Sequence, residues 1–200
     1  RTLHGMQYVY QNDVSRPLAY YHPHSPIGET FKEFGDQAAS AAVVGLGAGA
    51  LAAYGRKGQV FDFYELDPDV EDMARRHFTH LGGSKAQVRV FTGDARVVMR
   101  DKRAGPYGII VLDAFNGGAI PVHLLTEEAF RTYADRLAPG GLVVAHVTNR
   151  FLNLKPALAA LGNELGWAVA AKRSKPDEVV AGSEFASSWV VLARDRKKLL

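Results

Sequence analysis

Three acids and a cluster of glycines stand at spacings that suit the holding of a nucleoside. The run Val43-Val44-Gly45-Leu46-Gly47-Ala48-Gly49-Ala50 puts Gly45, Gly47 and Gly49 where an apolar strand gives way to a helix. Backbone can approach a ligand there with no Cβ in between. Glu65 ends the next apolar run, 20 residues after Gly45, where its carboxylate can accept both hydroxyls of a ribose. Gly93-Asp94-Ala95 follows the third run, and an acid there can accept the exocyclic amine of an adenine. Asp113 closes the fourth run, beside the place where the reacting carbon of such a ligand would lie. Each acid alone has an ordinary explanation as a cap, as with Asp67 before Pro68 or Asp94 before a helical stretch. Together, each at a strand end, they point to an adenosyl cofactor of the S-adenosylmethionine type. Gly45-x-Gly47-x-x-Ala50 with an acid twenty residues on also satisfies the NAD pattern, and that reading stays open here. It leaves Asp94 without a task.

Such positions need a parallel sheet beneath them. From Ala41 onward, short apolar runs alternate with amphipathic stretches, the pattern of βαβ units. Strands are expected near 41–45, 60–65, 88–92, 109–113, 142–147, 168–172 and 188–193. Helices are expected over 69–78, 126–137 and 156–165. The first of these carries Val70, Met73, Ala74 and His77 on one face; the second opens on the cap-like Thr126 and stops at Pro139-Gly140-Gly141. The predicted fold is α/β, a doubly wound, mostly parallel seven-stranded sheet of the class I methyltransferase-like Rossmann type. Residues 1–35 break the rhythm. Leu3, Met6, Tyr8 and Tyr10, then Leu18 and Tyr20, alternate about the turn-prone Gln11-Asn12-Asp13. That predicts a short N-terminal β-hairpin appended to a cofactor-binding catalytic domain over 36–200, with a short helix after Pro26.

At 200 residues and 47% hydrophobic positions the chain can bury the core of one domain. Its 24 Lys and Arg against 21 Asp and Glu leave a net charge of +3, too slight an excess to argue for nucleic acid. The basic residues Arg194, Arg196, Lys197 and Lys198 read as a solvated terminus. The absence of cysteine excludes disulfides, thiolate metal sites and a cysteine nucleophile; it suits a reducing compartment, and a cytoplasmic location is expected. The longest uncharged run, Ala38 to Gly55, has the length of a membrane span but is mostly Ala and Gly, which gain little from lipid. No membrane insertion and no signal peptide are expected, and a start at Arg1 reads as a piece of something longer.

The same residues resemble the spermidine synthase family, the polyamine aminopropyltransferases, and within it a branch often fused to membrane transporter segments. The resemblance is carried by Leu3-His4-Gly5-Met6-Gln7, Tyr20-Tyr21-His22 and Val44-Gly45-Leu46-Gly47-Ala48-Gly49. It continues through Phe63-Tyr64-Glu65-Leu66-Asp67-Pro68, Gly93-Asp94-Ala95-Arg96, Leu112-Asp113-Ala114-Phe115 and Ile120-Pro121-Val122-His123-Leu124-Leu125-Thr126. It implies transfer of a propyl amine from S-adenosylmethionine or its decarboxylated form to a small amine acceptor, with release of methylthioadenosine, no metal, and a homodimer. Asp113 and Tyr21 would be catalytic. Gln7, His22, Gly45, Gly47, Gly49, Glu65, Asp94 and Ala95 would hold the cofactor. Two departures bear on the substrate. The family's glycine-loop Asp is matched by Ala48; its second acceptor-binding Asp is matched by Asn116, and the fused branch's later acid by Gly118. A small-molecule methyltransferase, an enzyme cleaving S-adenosylmethionine and a non-catalytic adenosyl-ligand sensor stay open beside the transfer reading.

Other polar candidates read more plainly. His22-Pro23-His24 lacks an evident third metal ligand, and His77 and His80 read as helix-surface residues. Tyr8, Tyr10, Tyr20 and Tyr21 read as hairpin packing before a cage for a cation. His123 and Glu127 are placed to reach the cleft from a loop above the strand ends. No Asn-Pro-Pro-aromatic run follows the fourth strand, so methylation of nucleic acid bases is not expected.

Overall fold

Ile109 and Val111 turn to one side of the central sheet, and Ile110 and Leu112 to the other, and both pairs are buried. A strand apolar on both faces has to be covered on both, and this chain supplies helices for each. The computed structural model describes residues 5–9, 14–100, 105–115, 120–149, 152–174 and 185–199. Its strands are β1 (Ser40–Val44), β2 (Val60–Glu65), β3 (Gln87–Thr92), β4 (Tyr107–Leu112), β5 (Leu137–His146), β6 (Ala168–Arg173) and β7 (Ser188–Ala193). They form one sheet in the order β3-β2-β1-β4-β5-β7-β6, with β7 antiparallel to both neighbours. The order reverses between β1 and β4. In an open α/β sheet that reversal parts the connecting loops and leaves a crevice at the carboxyl ends of the strands.

The helices are α1 (Pro26–Phe34), α2 (Pro68–His77), α3 (His80–Gly83), α4 (Ala95–Val98), α5 (Glu127–Arg136) and α6 (Lys155–Leu165). Ser25, Asp67, Asp94 and Thr126 cap α1, α2, α4 and α5, each side chain accepting a backbone N–H of the first turn. Ile27, Phe31, Ala74 and Leu81 of α1 to α3 cover one face, while Phe130, Tyr133, Leu158 and Leu161 of α5 and α6 cover the other. No helix among the described residues is long and apolar enough to cross a membrane.

The predicted sheet is present in full, and three local expectations are corrected. β5 begins at Leu137, so Pro139-Gly140-Gly141 lies inside a strand. Its register against β4 jumps from Tyr107↔Leu137 to Ile109↔Leu142, and the irregularity accommodates a proline that cannot donate to a ladder. His80 is buried rather than on a surface, 1% exposed, whereas His77 is exposed. The predicted N-terminal hairpin is absent from the described residues. Residues 5–9 and 14–25 run irregularly, with one isolated bridge at Ala19, whose carbonyl accepts the Phe185 N–H (3.3 Å). The cause is that this segment is drawn onto the domain: the Gln7 amide engages Thr79, and Leu18, Ala19 and Tyr21 are buried. Leu3, Tyr10 and the expected turn at 11–13 lie outside the described residues.

Candidate active site

Each strand bordering the crevice ends in a polar or glycine residue held by its neighbour. Gly45 N–H donates to Tyr64 O, Gly93 N–H to Glu65 O and Asp113 N–H to Val44 O, all at 2.8 Å, so the four ends are locked in register. Gly45 has φ +95°, and a Cβ there would come within 2.6 Å of the Asp113 carbonyl oxygen. Only glycine lets the first loop lie that close to the fourth strand. The resulting cleft, about 710 Å³, is lined by Gly45, Leu46, Gly47, Ala48, Glu65, Gly93, Asp94, Ala95 and Asp113, with Tyr21 from the N-terminal segment. Val70, Met73 and Ala74 of α2 form part of its wall, which accounts for the exposure of Met73.

Glu65 accepts the Leu46 N–H at Oε2 (2.9 Å) and the Asp67 N–H at Oε1 (3.1 Å), tying the glycine loop to the end of β2. Each carboxylate oxygen keeps a second lone pair for a hydroxyl in the cleft. Asp94 combines a cap with a place in the cleft wall. It caps α4 through the Arg96 N–H (2.9 Å), and it lines the cleft with its carboxylate against the Arg96 guanidinium (2.8 Å). Arg96, with His123 farther off, holds the Asp94 carboxyl below its ordinary value.

Asp113 lies at the centre of a buried cluster. Its carboxylate accepts the Tyr21 hydroxyl and faces His146 Nδ1 at 2.7 Å. Burial, and then the charge of Asp113, push the Tyr21 phenol well above its ordinary value, so the O–H remains a donor. His146 was not anticipated. The signal was present: a lone histidine closing a strand of otherwise apolar residues, Leu142-Val143-Val144-Ala145, on the far side of the crevice.

Three predicted residues fall elsewhere. Gln7 is not among the residues lining the cleft, because its amide is taken at both ends by Thr79. His22 is buried outside it, bonded to Arg16 Nη2 (2.8 Å) and accepting the His24 N–H at Nδ1 (3.3 Å). Gly49 sits behind the loop, its backbone against Leu81. His123 does line the cleft, whereas Glu127 turns to Arg131 (3.0 Å). Tyr20 packs on Tyr21, His146 and Phe185, not on a partner strand of a hairpin. Among the described residues no three His, Asp or Glu gather as a metal site.

His22 carries a stability prediction. Burial, then Arg16 and His24, push its imidazole down to about 4. An unfolded histidine takes up its proton near 6.5, so the unfolded chain binds the proton first and stability falls as the pH drops from about 6.5 towards 4. Thermal melts across that window should show a steeper loss for the wild type than for His22→Gln. Parallel profiles would remove His22 as the cause.

No protein-family model matches the chain. A polyamine aminopropyltransferase of Vibrio vulnificus is 40% identical over 112 residues, 52% of this chain and 36% of the relative. A probable polyamine aminopropyl transferase of Bifidobacterium longum is 26% identical over 153 residues, 72% of this chain and 31% of that protein. The matches thus span about a third of the length of these relatives. Among solved structures, a probable spermidine synthase of Corynebacterium glutamicum aligns over 77% of this chain and 55% of its own, with TM-score 0.56 and 24% identity. A spermidine synthase in complex with the transition-state analogue AdoDATO aligns over 80% and 57%, with TM-score 0.59 and 15% identity. Human methyltransferase-like protein 13 in complex with SAH aligns over 80% and 76%, with TM-score 0.58 and 17% identity. The solved structures establish the methyltransferase-like fold, and over part of their length the chain is similar in sequence to polyamine aminopropyltransferases.

Proposed function

We propose that this chain binds an adenosyl sulfonium in the cleft and transfers its propyl amine arm to a small amine, releasing methylthioadenosine. The observation that carries the reading is the meeting of Tyr21, from the N-terminal segment, with Asp113 at the end of β4, over a glycine loop braced by Glu65. A methyltransferase of this fold has no need of that segment. The step is a displacement: the amine lone pair forms the new C–N bond, the C–S pair returns to sulfur as a neutral thioether, and an amine proton passes to Asp113. A sulfonium is already a good leaving group, so the protein has mainly to align the amine and keep it neutral. Incubation with S-adenosylmethionine and its decarboxylated form, with an amine present, should yield methylthioadenosine. S-adenosylhomocysteine as product would favour methyl transfer, and unaltered ligand would favour a sensor.

Ribose binding belongs to Glu65 on this reading. Calorimetry with methylthioadenosine should show Glu65→Ala losing about 1 to 3 kcal/mol, since a charge-assisted acceptor and the brace on the loop go together. Undiminished affinity would move the nucleoside elsewhere.

Donor selectivity should be weak. Ala48 lines the cleft where the family's loop Asp stands, and Gly5 lies so close over it that a Cβ on Gly5 would fall 2.4 Å from the Ala48 Cβ. The N-terminal backbone takes up that corner, where an ammonium would need a carboxylate. A loop acid selects the decarboxylated donor by attracting its ammonium and repelling the carboxylate of the intact one. With Ala48, the two donors should bind within about tenfold of each other, the worth of one charge contact of roughly 1.4 kcal/mol. Putrescine should be a poor acceptor, and Asn116 and Gly118, which make up the other departure, lie outside the described residues. Side-by-side titration with both donors checks this; strong preference for the decarboxylated one would show that other groups supply the recognition.

A further inference from the structure

We propose that His146 is a positioning residue for Asp113, locked by Thr148 in the tautomer that carries its proton on Nδ1. The inference rests on the transfer reading above for the role of Asp113. Asp113 sets the direction of the hydrogen bonds, because its carboxylate can only accept and so takes a hydrogen from His146 Nδ1. Ser188 N–H donates to Thr148 Oγ1 (2.8 Å), which occupies one lone pair of that oxygen. The Thr148 hydroxyl hydrogen is then free to point at His146 Nε2, 2.7 Å away. A neutral imidazole whose Nε2 accepts must carry its hydrogen on Nδ1, and that N–H donates to Asp113 Oδ1 at 2.7 Å.

Packing fixes the ring that the hydrogen bonds aim. His146 is 2% exposed and stacks flat on Trp189, with centroids 4.1 Å apart and planes 4° apart. Phe115 meets it edge-on at 4.8 Å, and Tyr20 and Tyr21 flank it. Asp113 is therefore held by two donors from two different segments, the Tyr21 hydroxyl and the His146 imidazole. Its carboxylate cannot rotate without breaking one of them, and its remaining lone pairs are left for the cleft. A base held in this way stays aligned with the attacking amine, and a small misalignment of such a group is costly in rate.

The test exploits an inversion. His146→Phe keeps the stack on Trp189 and removes the donor; His146→Asn sacrifices the stack and keeps an N–H where Nδ1 stood. If His146 positions Asp113, the Phe variant should lose about 10- to 30-fold in kcat with KM and methylthioadenosine affinity within about twofold, and Asn should recover several-fold of that loss. If His146 is only a packing residue, Asn will be the worse of the two, and the proposal fails. Nitrogen-15 NMR of histidine-labelled wild type reads the tautomer without any turnover. A protonated Nδ1 that becomes mixed in Thr148→Val is expected, and a protonated Nε2 would overturn the chain of bonds. Absence of turnover in the wild type would sink the transfer reading, and the NMR tautomer would then decide the His146 chain on its own.

Discussion

Asp113→Asn is expected to lower turnover about 100-fold or more while the affinity for methylthioadenosine stays within about threefold. The substitution is nearly isosteric. The amide oxygen it introduces can still accept the His146 N–H, and the amide nitrogen can meet the Tyr21 oxygen, so the cluster of buried rings should survive. What is lost is the negative charge that, on the proposed reading, takes the amine proton. Nucleoside binding should be spared because the proposed reading assigns it to other groups, the glycine loop, Glu65, Asp94 and Ala95, none of which depends on Asp113 for a side-chain hydrogen bond. Single-turnover kinetics with the sulfonium donor and a saturating amine, read beside calorimetry, separate the two effects. Turnover near that of the wild type would retire Asp113 as the base. A parallel collapse of affinity would make it a binding residue.

The carboxyl ends of the first four strands were legible because their requirements are local and nearly unique. A glycine at φ +95° against the next loop, an acid that ties the glycine loop to the end of β2 and an acid before a short helix each leave a mark in residue type as well as in spacing. The N-terminal segment was not legible in the same way. Alternating Met6, Tyr8, Leu18 and Tyr20 look like a hairpin, yet the partners that decide its path, Thr79, Ala48 and Phe185, are far off in the chain. Gln7 lies off the cleft lining for that reason, its amide engaged by the distant Thr79, whereas His22 is engaged by Arg16, six residues away. Tyr21 was placed by family resemblance, and the sequence alone holds nothing to pair it with Asp113. His146 shows the converse. Its place at a strand end was readable, but its meaning rests on Thr148, Ser188 and Trp189, which come together only when β7 inserts antiparallel beside β5.

A second large effect is expected beneath the site. Asp62 sits in the middle of β2 with no exposure, opposite Arg89 of β3 in the register, and accepts that guanidinium in a fork at 2.6 and 2.7 Å. Tyr107 of β4 donates to its second oxygen (2.7 Å), and the Tyr64 hydroxyl lies 2.5 Å from that of Tyr107. Burial raises both phenols, so each stays a donor and the order runs Tyr64 to Tyr107 to Asp62. The network therefore fastens the strands that end in Glu65 and lead to Asp113. Arg89 is partly in solvent, 37% exposed, whereas Asp62 is sealed, so the asymmetry sets the outcome. Arg89→Met should cost about 3 to 5 kcal/mol, because a sealed carboxylate loses its counter-charge and keeps a single hydroxyl. Replacing both partners, as Asp62→Leu with Arg89→Met, should recover most of that loss, since no charge is then left inside and Tyr107 retains Tyr64 as a partner. Chemical denaturation of the wild type, the Arg89 variant and the double variant measures both steps. A loss below about 1 kcal/mol for Arg89→Met would mean that solvent reaches Asp62 once the guanidinium is gone. A double variant no better than the single one would mean that the carboxylate is needed for the strand register itself.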